Sequence, residues 1–127
     1  MTIIFKQLES VLALPDKKRF DHFVKVVADR QEVWGLYQGG WALAATNDGV
    51  TVFPLWPAKD YAQLCAVCEW EGYEPRLITL AELMDDLFPK LKKDGVLPGV
   101  FFKPEGKGMT PSVDDFNMAL VSELQKY

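Results

Sequence analysis

Two cysteines three positions apart, Cys65 and Cys68 in the segment CAVC, are the residues of this 127-residue chain whose type and spacing most resemble a reactive pair. In a redox site of that form, a helix N-terminus lowers one thiol's pKa until it is a thiolate near neutral pH. Here both cysteines fall well after Pro57, on the stripe that Tyr61 and Leu64 begin at helical spacing, so buried and inert core thiols are expected. A structural zinc would need two more thiol or imidazole ligands, and the chain offers no other cysteine and one histidine. Neither a metal nor a cofactor is expected.

The remaining reactive types have structural explanations. His22 lies on the polar side of a helical stripe with Lys18, Lys25 and Asp29, which predicts a solvated imidazole rather than the base of a nucleophile, histidine and carboxylate triad. Asp85 and Asp86 could form an acid and base pair, yet adjacent helical residues point roughly 100° apart, and both lie off the Leu83, Leu87 stripe. The segment EGKGMT from Glu105 to Thr110 has the composition of a phosphate loop without its spacing, since Phe101 stands where the first glycine belongs and Gly108 follows the lysine. No catalytic residue is assigned.

Aromatic residues remain. Trp34, Trp41, Trp56 and Trp70 fall in the central third of the chain with Tyr37, Phe53 and Tyr73. Large aromatics in a sheet are ordinarily core, but Trp and Tyr also suit surfaces that are apolar and still hydrogen-bond. Trp56 just precedes the helix that Pro57 opens, Trp70 follows it, and Trp41 begins a neighbouring strand. These positions predict that Trp41, Trp56 and Trp70 line one concave surface, where Lys59 and Asp60 in the first helical turn are further candidate ligand or partner contacts. An anionic or planar ligand would suit a helix N-terminus there.

The elements that must position them follow from periodicity. A helix over Ile4, Leu8, Val11 and Leu12 is followed by one from Pro15 to about Arg30, with a stripe of Phe20, Phe23, Val24, Val27 and Ala28. From Glu32 the period becomes that of strands, and glycines at 39, 40 and 49 close two turns of a three-stranded meander, whose third strand Pro54 ends or confines to an edge. The helix after Pro57 leads to a strand at Arg76 to Ile78. Thr79 and Glu82 then form a capping box for a helix that Pro89 ends or kinks. Val96 to Lys103 is a last strand, and Ser112 with Asp115 caps a final helix. The expectation is a single α+β domain over 1–127, with a mixed, largely antiparallel sheet of about five strands, the meander plus two crossover strands, packed with about five helices.

Fourteen basic against eighteen acidic residues give a net charge of -4, the wrong sign for neutralising phosphates, so nucleic acid is not expected as a partner. The excess acid lies mostly between Glu69 and Asp86. No apolar run approaches the roughly 20 residues of a spanning helix, and the N-terminus reads poorly as an export signal, so a cytoplasmic protein away from membranes is expected. Apolar residues on both faces of the meander must be covered by helices or by a second copy, which makes a homodimer an open expectation.

Taken together, VWGL at 33–36, GGWAL at 39–43, PLWP at 54–57, YA at 61–62, WEGYEP at 70–75 and LAEL at 80–83 resemble a small bacterial family known as domain of unknown function twenty-seven fifty. The resemblance spans nearly the whole chain. It implies a compact bacterial protein, and carries no activity or catalytic residue onto these positions. With the usual catalytic constellations missing or facing outward, a non-catalytic binding or regulatory module acting on a protein or small molecule is the leading expectation. A small enzyme or metabolite binder with a cleft of carboxylates and aromatics is the alternative.

Overall fold

The computed structural model describes residues 10–103 and 108–126. Among them lie α1 (Asp16–Arg30), β1 (Glu32–Tyr37), β2 (Ala44–Ala45), β3 (Thr51–Leu55), α2 (Lys59–Leu64), β4 (Glu74–Thr79), α3 (Leu80–Glu82), α4 (Phe88–Asp94), β5 (Leu97–Val100) and α5 (Val113–Leu124). This is an α+β fold. A helical turn at 10–12 precedes α1, while Ile4 and Leu8 of the first expected helix lie outside the described residues.

The stripe read from the sequence buries α1: Phe23, Val24, Val27 and Ala28 are core, with Phe20 only partly covered. Asp16 in the first turn and Arg30 in the last complement the helix dipole. Pro15 caps this helix from outside, with extended ψ, rather than occupying its first helical position. Phe23 and Phe88 both pack against Phe116 of α5, with ring centroids 5.5 and 5.1 Å away, so three helices meet around one aromatic side chain.

The five strands form two small sheets, not the single sheet expected. One is the antiparallel pair β1–β4; the other has β3 between antiparallel β2 and parallel β5. Pro54 explains the split. The β2–β3 ladder bonds Thr46 N–H to the Val50 carbonyl, and its alternation turns Val52 and then Pro54 toward the β2 side. Continued to Pro54, that register would bring Ala42 opposite, but a proline has no amide to donate. The Ala42 carbonyl would gain no donor there, and β2 stops after two residues; Ala42 N–H bonds to the Leu36 carbonyl at 2.9 Å, where the chain folds back on β1. β3 therefore does not end at Pro54, which pairs with Gly99 of β5 on one side and lies past the end of β2 on the other, locally at an edge.

One bridge joins the two sheets. Trp34 and Trp56 exchange both backbone hydrogen bonds, each at 2.8 Å.

After β4, the Thr79 hydroxyl accepts from Glu82 N–H, and the Glu82 carboxylate accepts from Thr79 N–H. Pro89 does not end the helix that follows. Leu83–Leu87 widens into a π-helical turn in which Phe88 N–H reaches the Leu83 carbonyl, five residues back. The proline, lacking a donor, is then accommodated in the first turn of α4. The wider turn also lets Leu83 and Phe88 both enter the core. Gly95, at φ 70°, closes α4 in the left-handed region. β5 is shorter than expected, ending at Val100 before Phe101, which takes φ 61°.

Candidate functional site

The structure does not gather the three tryptophans on one surface. Trp56 is wholly buried, and its indole N–H donates to the Phe102 carbonyl at 3.0 Å. The Cys65 thiol donates to the same carbonyl at 3.3 Å, and burial pushes its pKa up to about 12. That thiol is core. The side chain of Cys68 lies outside what is described, and its backbone begins a 3₁₀ turn (Cys68–Trp70) rather than continuing the stripe of Cys65. Trp70 is half-buried edge-to-face on Trp56, centroids 6.1 Å apart. Trp41 belongs to another cluster, with Tyr37 and Phe53.

The helix meant to supply an anion site is also smaller than read. α2 begins at Lys59, spans six residues and has no side-chain cap, while Tyr61 packs edge-to-face on buried Phe101 at 4.7 Å. Lys59 is exposed and Asp60 partly buried in its first turn. A helix this short has little summed dipole to offer an anion.

What the fold does build is a platform on the β1–β4 pair. In that register Gly35 faces Arg76 and Tyr37 faces Glu74. Side chains alternate across a strand, so the face that buries Val33 and Ile78 at one end presents Gly35, Tyr37 and Arg76 at the other. The Gly39–Gly40 turn returns the chain so that Trp41 bridges to Tyr37, and their rings meet edge-to-face at 5.2 Å. A Cβ on Gly35 would stand 2.8 Å from the Trp41 ring, which shows how closely the indole lies over the bare backbone. Buried Phe53 backs that ring at 5.4 Å. Over this assembly the exposed Arg76 guanidinium sits 4.3 Å from the Tyr37 centroid and 5.8 Å from that of Trp41. No hydrogen bond from its N–H groups to an acceptor occurs among the described residues.

Other polar groups resolve differently. His22 is half-buried, 6.4 Å from the Phe101 ring, and not simply solvated; burial, then Arg30 and Lys25, lower its pKa. Arg19 is buried at 2% exposure, which the sequence did not suggest. It ties the chain before α1 by bonds to the Leu14 carbonyl and Asp16, while its Nε has no hydrogen-bond partner among the described residues. Asp85 and Asp86 are exposed on the π turn. Glu82's carboxyl is drawn below its ordinary value by the Thr79 amide and hydroxyl, with Arg76 a smaller contributor. Among the described residues no group of three or more His, Cys, Asp or Glu could hold a metal. The glycine-rich segment falls largely at 104–107, outside the described residues. No helix among them is long and apolar enough to cross a membrane.

The sequence pointed to Trp41 and listed Tyr37 among the aromatics, but missed Arg76. Its signal was the strand register that sets Arg76 against Gly35, which needs the partner strand to be known. No curated protein and no solved structure matches the chain. One family does, over residues 20–120, a span that includes both sheets, the platform and most of α5. The chain is a member of the family described as Protein of unknown function (DUF2750).

Proposed function

We propose that this protein is a non-catalytic binding module whose contact surface is the platform of Tyr37, Trp41 and Arg76. The carrying observation is the exposed guanidinium held 4.3 Å from the Tyr37 ring and 5.8 Å from the Trp41 ring, its donors uncommitted among the described residues. Trp, Tyr and Arg are the side chains that dominate binding energy at interfaces, because they bring large area and directional hydrogen bonds at modest entropic cost. Here they are ordered in advance by one another and by Gly35, which lowers the cost of association further. The test compares what the tagged chain and its Arg76→Ala variant retain from their own cell. An exposed substitution of this kind should shift stability by less than about 1 kcal/mol. A species retained by the native chain and lost from a folded variant supports the reading; identical retention by both sinks it.

A second reading, metabolite binding, is supported by an apolar groove of about 400 Å³ between α4, β5 and the start of α5, lined by Val50, Leu91, Val96, Leu97 and Val113. The Lys92–Asp114 ion pair, 3.1 Å, crosses its rim. Ligand-induced NMR shifts at Val96 and Leu97, with Tyr37 and Trp41 unmoved, would select this reading.

A further inference from the structure

The chemistry of the platform narrows what it can take. The Arg76 guanidinium lies 4.3 Å from the Tyr37 ring centre, and the N–H groups of a guanidinium lie in its plane, spaced to grip two oxygens of one anion. The available charge is a single positive one in acidic surroundings. Glu74 shares the strand face with Arg76 two residues away, Glu82 lies within electrostatic reach, and the whole chain carries -4. A phosphomonoester brings roughly -1.5 to -2 at neutral pH, more than one guanidinium offsets there. A carboxylate brings one negative charge and matches the two-pronged edge. Beside it, the half-exposed rings of Tyr37 and Trp41 offer apolar contact to whatever bears the carboxylate.

The platform is an open strand face, whereas sites for free small molecules usually enclose most of the ligand. Strand addition is not the mode of capture. Leu80 N–H bonds to the Gln31 carbonyl, so by ladder alternation Pro75, Leu77 and Thr79 turn their backbone groups to the free edge of β4. Pro75 has no amide, and the Thr79 amide is taken by Glu82, which blunts that edge against a pairing strand.

Resting on the reading of the platform as a binding surface, we infer that Arg76 receives the C-terminal carboxylate of a partner chain that ends in an aromatic or large apolar residue, whose side chain lies on Tyr37 and Trp41. Such a residue carries a carboxylate and an apolar side chain on one and the same carbon at the free end of a chain.

The experiment is an NMR titration of the full chain with N-acetyl-Gly-Phe bearing a free carboxylate, with the same peptide as its C-terminal amide, with benzoate, and with inorganic phosphate. The acid peptide should shift the Trp41 indole, the Tyr37 amide and Arg76 Nε, weakening as salt rises. The amide should bind at least about ten-fold more weakly, the loss of a charge-assisted hydrogen bond. Arg76→Lys, which keeps the charge and loses the planar edge, should weaken the acid peptide to a similar degree while leaving the Trp41 and Tyr37 contact intact. Equal binding of acid and amide at the platform overturns the carboxylate inference and leaves the binding surface standing. Benzoate as tight as the peptide overturns the chain end as the source, and phosphate as tight overturns the charge reasoning. Platform resonances unmoved by every probe overturn both this inference and the proposed surface.

Discussion

Two buried side chains show how far environment changes what a residue does. Cys65 has the spacing of a redox thiol, but burial among apolar neighbours holds its proton with a pKa of about 12, so its thiolate is scarce at neutral pH. Native protein should therefore leave Cys65 unlabelled by a thiol reagent at pH 7 for as long as it stays folded; rapid labelling, located by peptide mapping, would refute this. The sign for stability follows. The folded pKa lies above the ordinary value near 9, so the folded state holds the proton more tightly. Stability from this group is full below pH 9 and falls as pH rises from there toward 12, a slope that Cys65→Ala should remove from alkaline denaturation curves. Arg19 is the opposite case, a charge buried with one donor unmet and an ion-pair partner, Asp16, that remains in solvent. A long apolar replacement restores most of its packing without the desolvated charge. Arg19→Met should cost less than about 2 kcal/mol, and Arg19→Ala about 2 to 4 kcal/mol through the cavity it leaves, as read by chemical denaturation. A larger loss for Met than for Ala would show that the guanidinium's bonds, not its bulk, hold the entry to α1.

At the scale of elements, local signals were legible and pairing was not. The α1 stripe, the Thr79–Glu82 capping box, the Gly95 stop and the Ser112 cap each lie within a turn or two of chain, and each stands in the fold. Of the meander only the β2–β3 pair stands, because Pro54 has no amide to give the Ala42 carbonyl and Ala42 N–H donates to the Leu36 carbonyl. Pro89 interrupts the α-helix without ending it: a missing donor stops regular α geometry, but a wider turn can pass it when Leu83 and Phe88 both gain burial. Gly35 was quoted only as part of a motif, though its role is to let an indole lie on the strand. Gly35→Ala should cost about 1 to 3 kcal/mol by overpacking, and should shift the Trp41 indole resonance as the ring is pushed off the platform. Wild-type stability with an unmoved indole would mean that the ring is not seated there. Thr79→Ala removes one partner of the capping box, at about 1 kcal/mol. The Glu82 half of that box, donated by the Thr79 backbone amide, survives in Thr79→Ala; its stability is present above the ordinary carboxyl range and lost as pH falls through the lowered folded pKa, a slope that Glu82→Gln should remove.

At the scale of the whole molecule, the two sheets share so little pairing that they could open separately, yet their one junction is deep. Trp34 and Trp56 exchange both backbone bonds, the Trp56 indole holds the Phe102 carbonyl beyond β5, and Cys65 after α2 holds the same oxygen. Phe101, one residue earlier, packs on Tyr61 of α2 and Phe23 of α1, and its own amide bonds to the Leu55 carbonyl of β3. Opening either sheet therefore exposes Trp56 and strands buried donors, which costs more than the few ladder bonds each sheet contains. The two sheets should behave as one cooperative unit. In native-state hydrogen exchange, the amides of Val33 and Ile78 in β1–β4 and those of Trp56 and Phe101 at β3 and β5 should exchange with opening free energies that agree within about 1 kcal/mol and approach the global value. Trp56→Ala should lower that common value by about 3 to 5 kcal/mol for both sets together. A β1–β4 pair that opens at distinctly lower free energy, and that keeps its protection when Trp56 is truncated, would show instead that the platform rides on a unit able to unfold by itself.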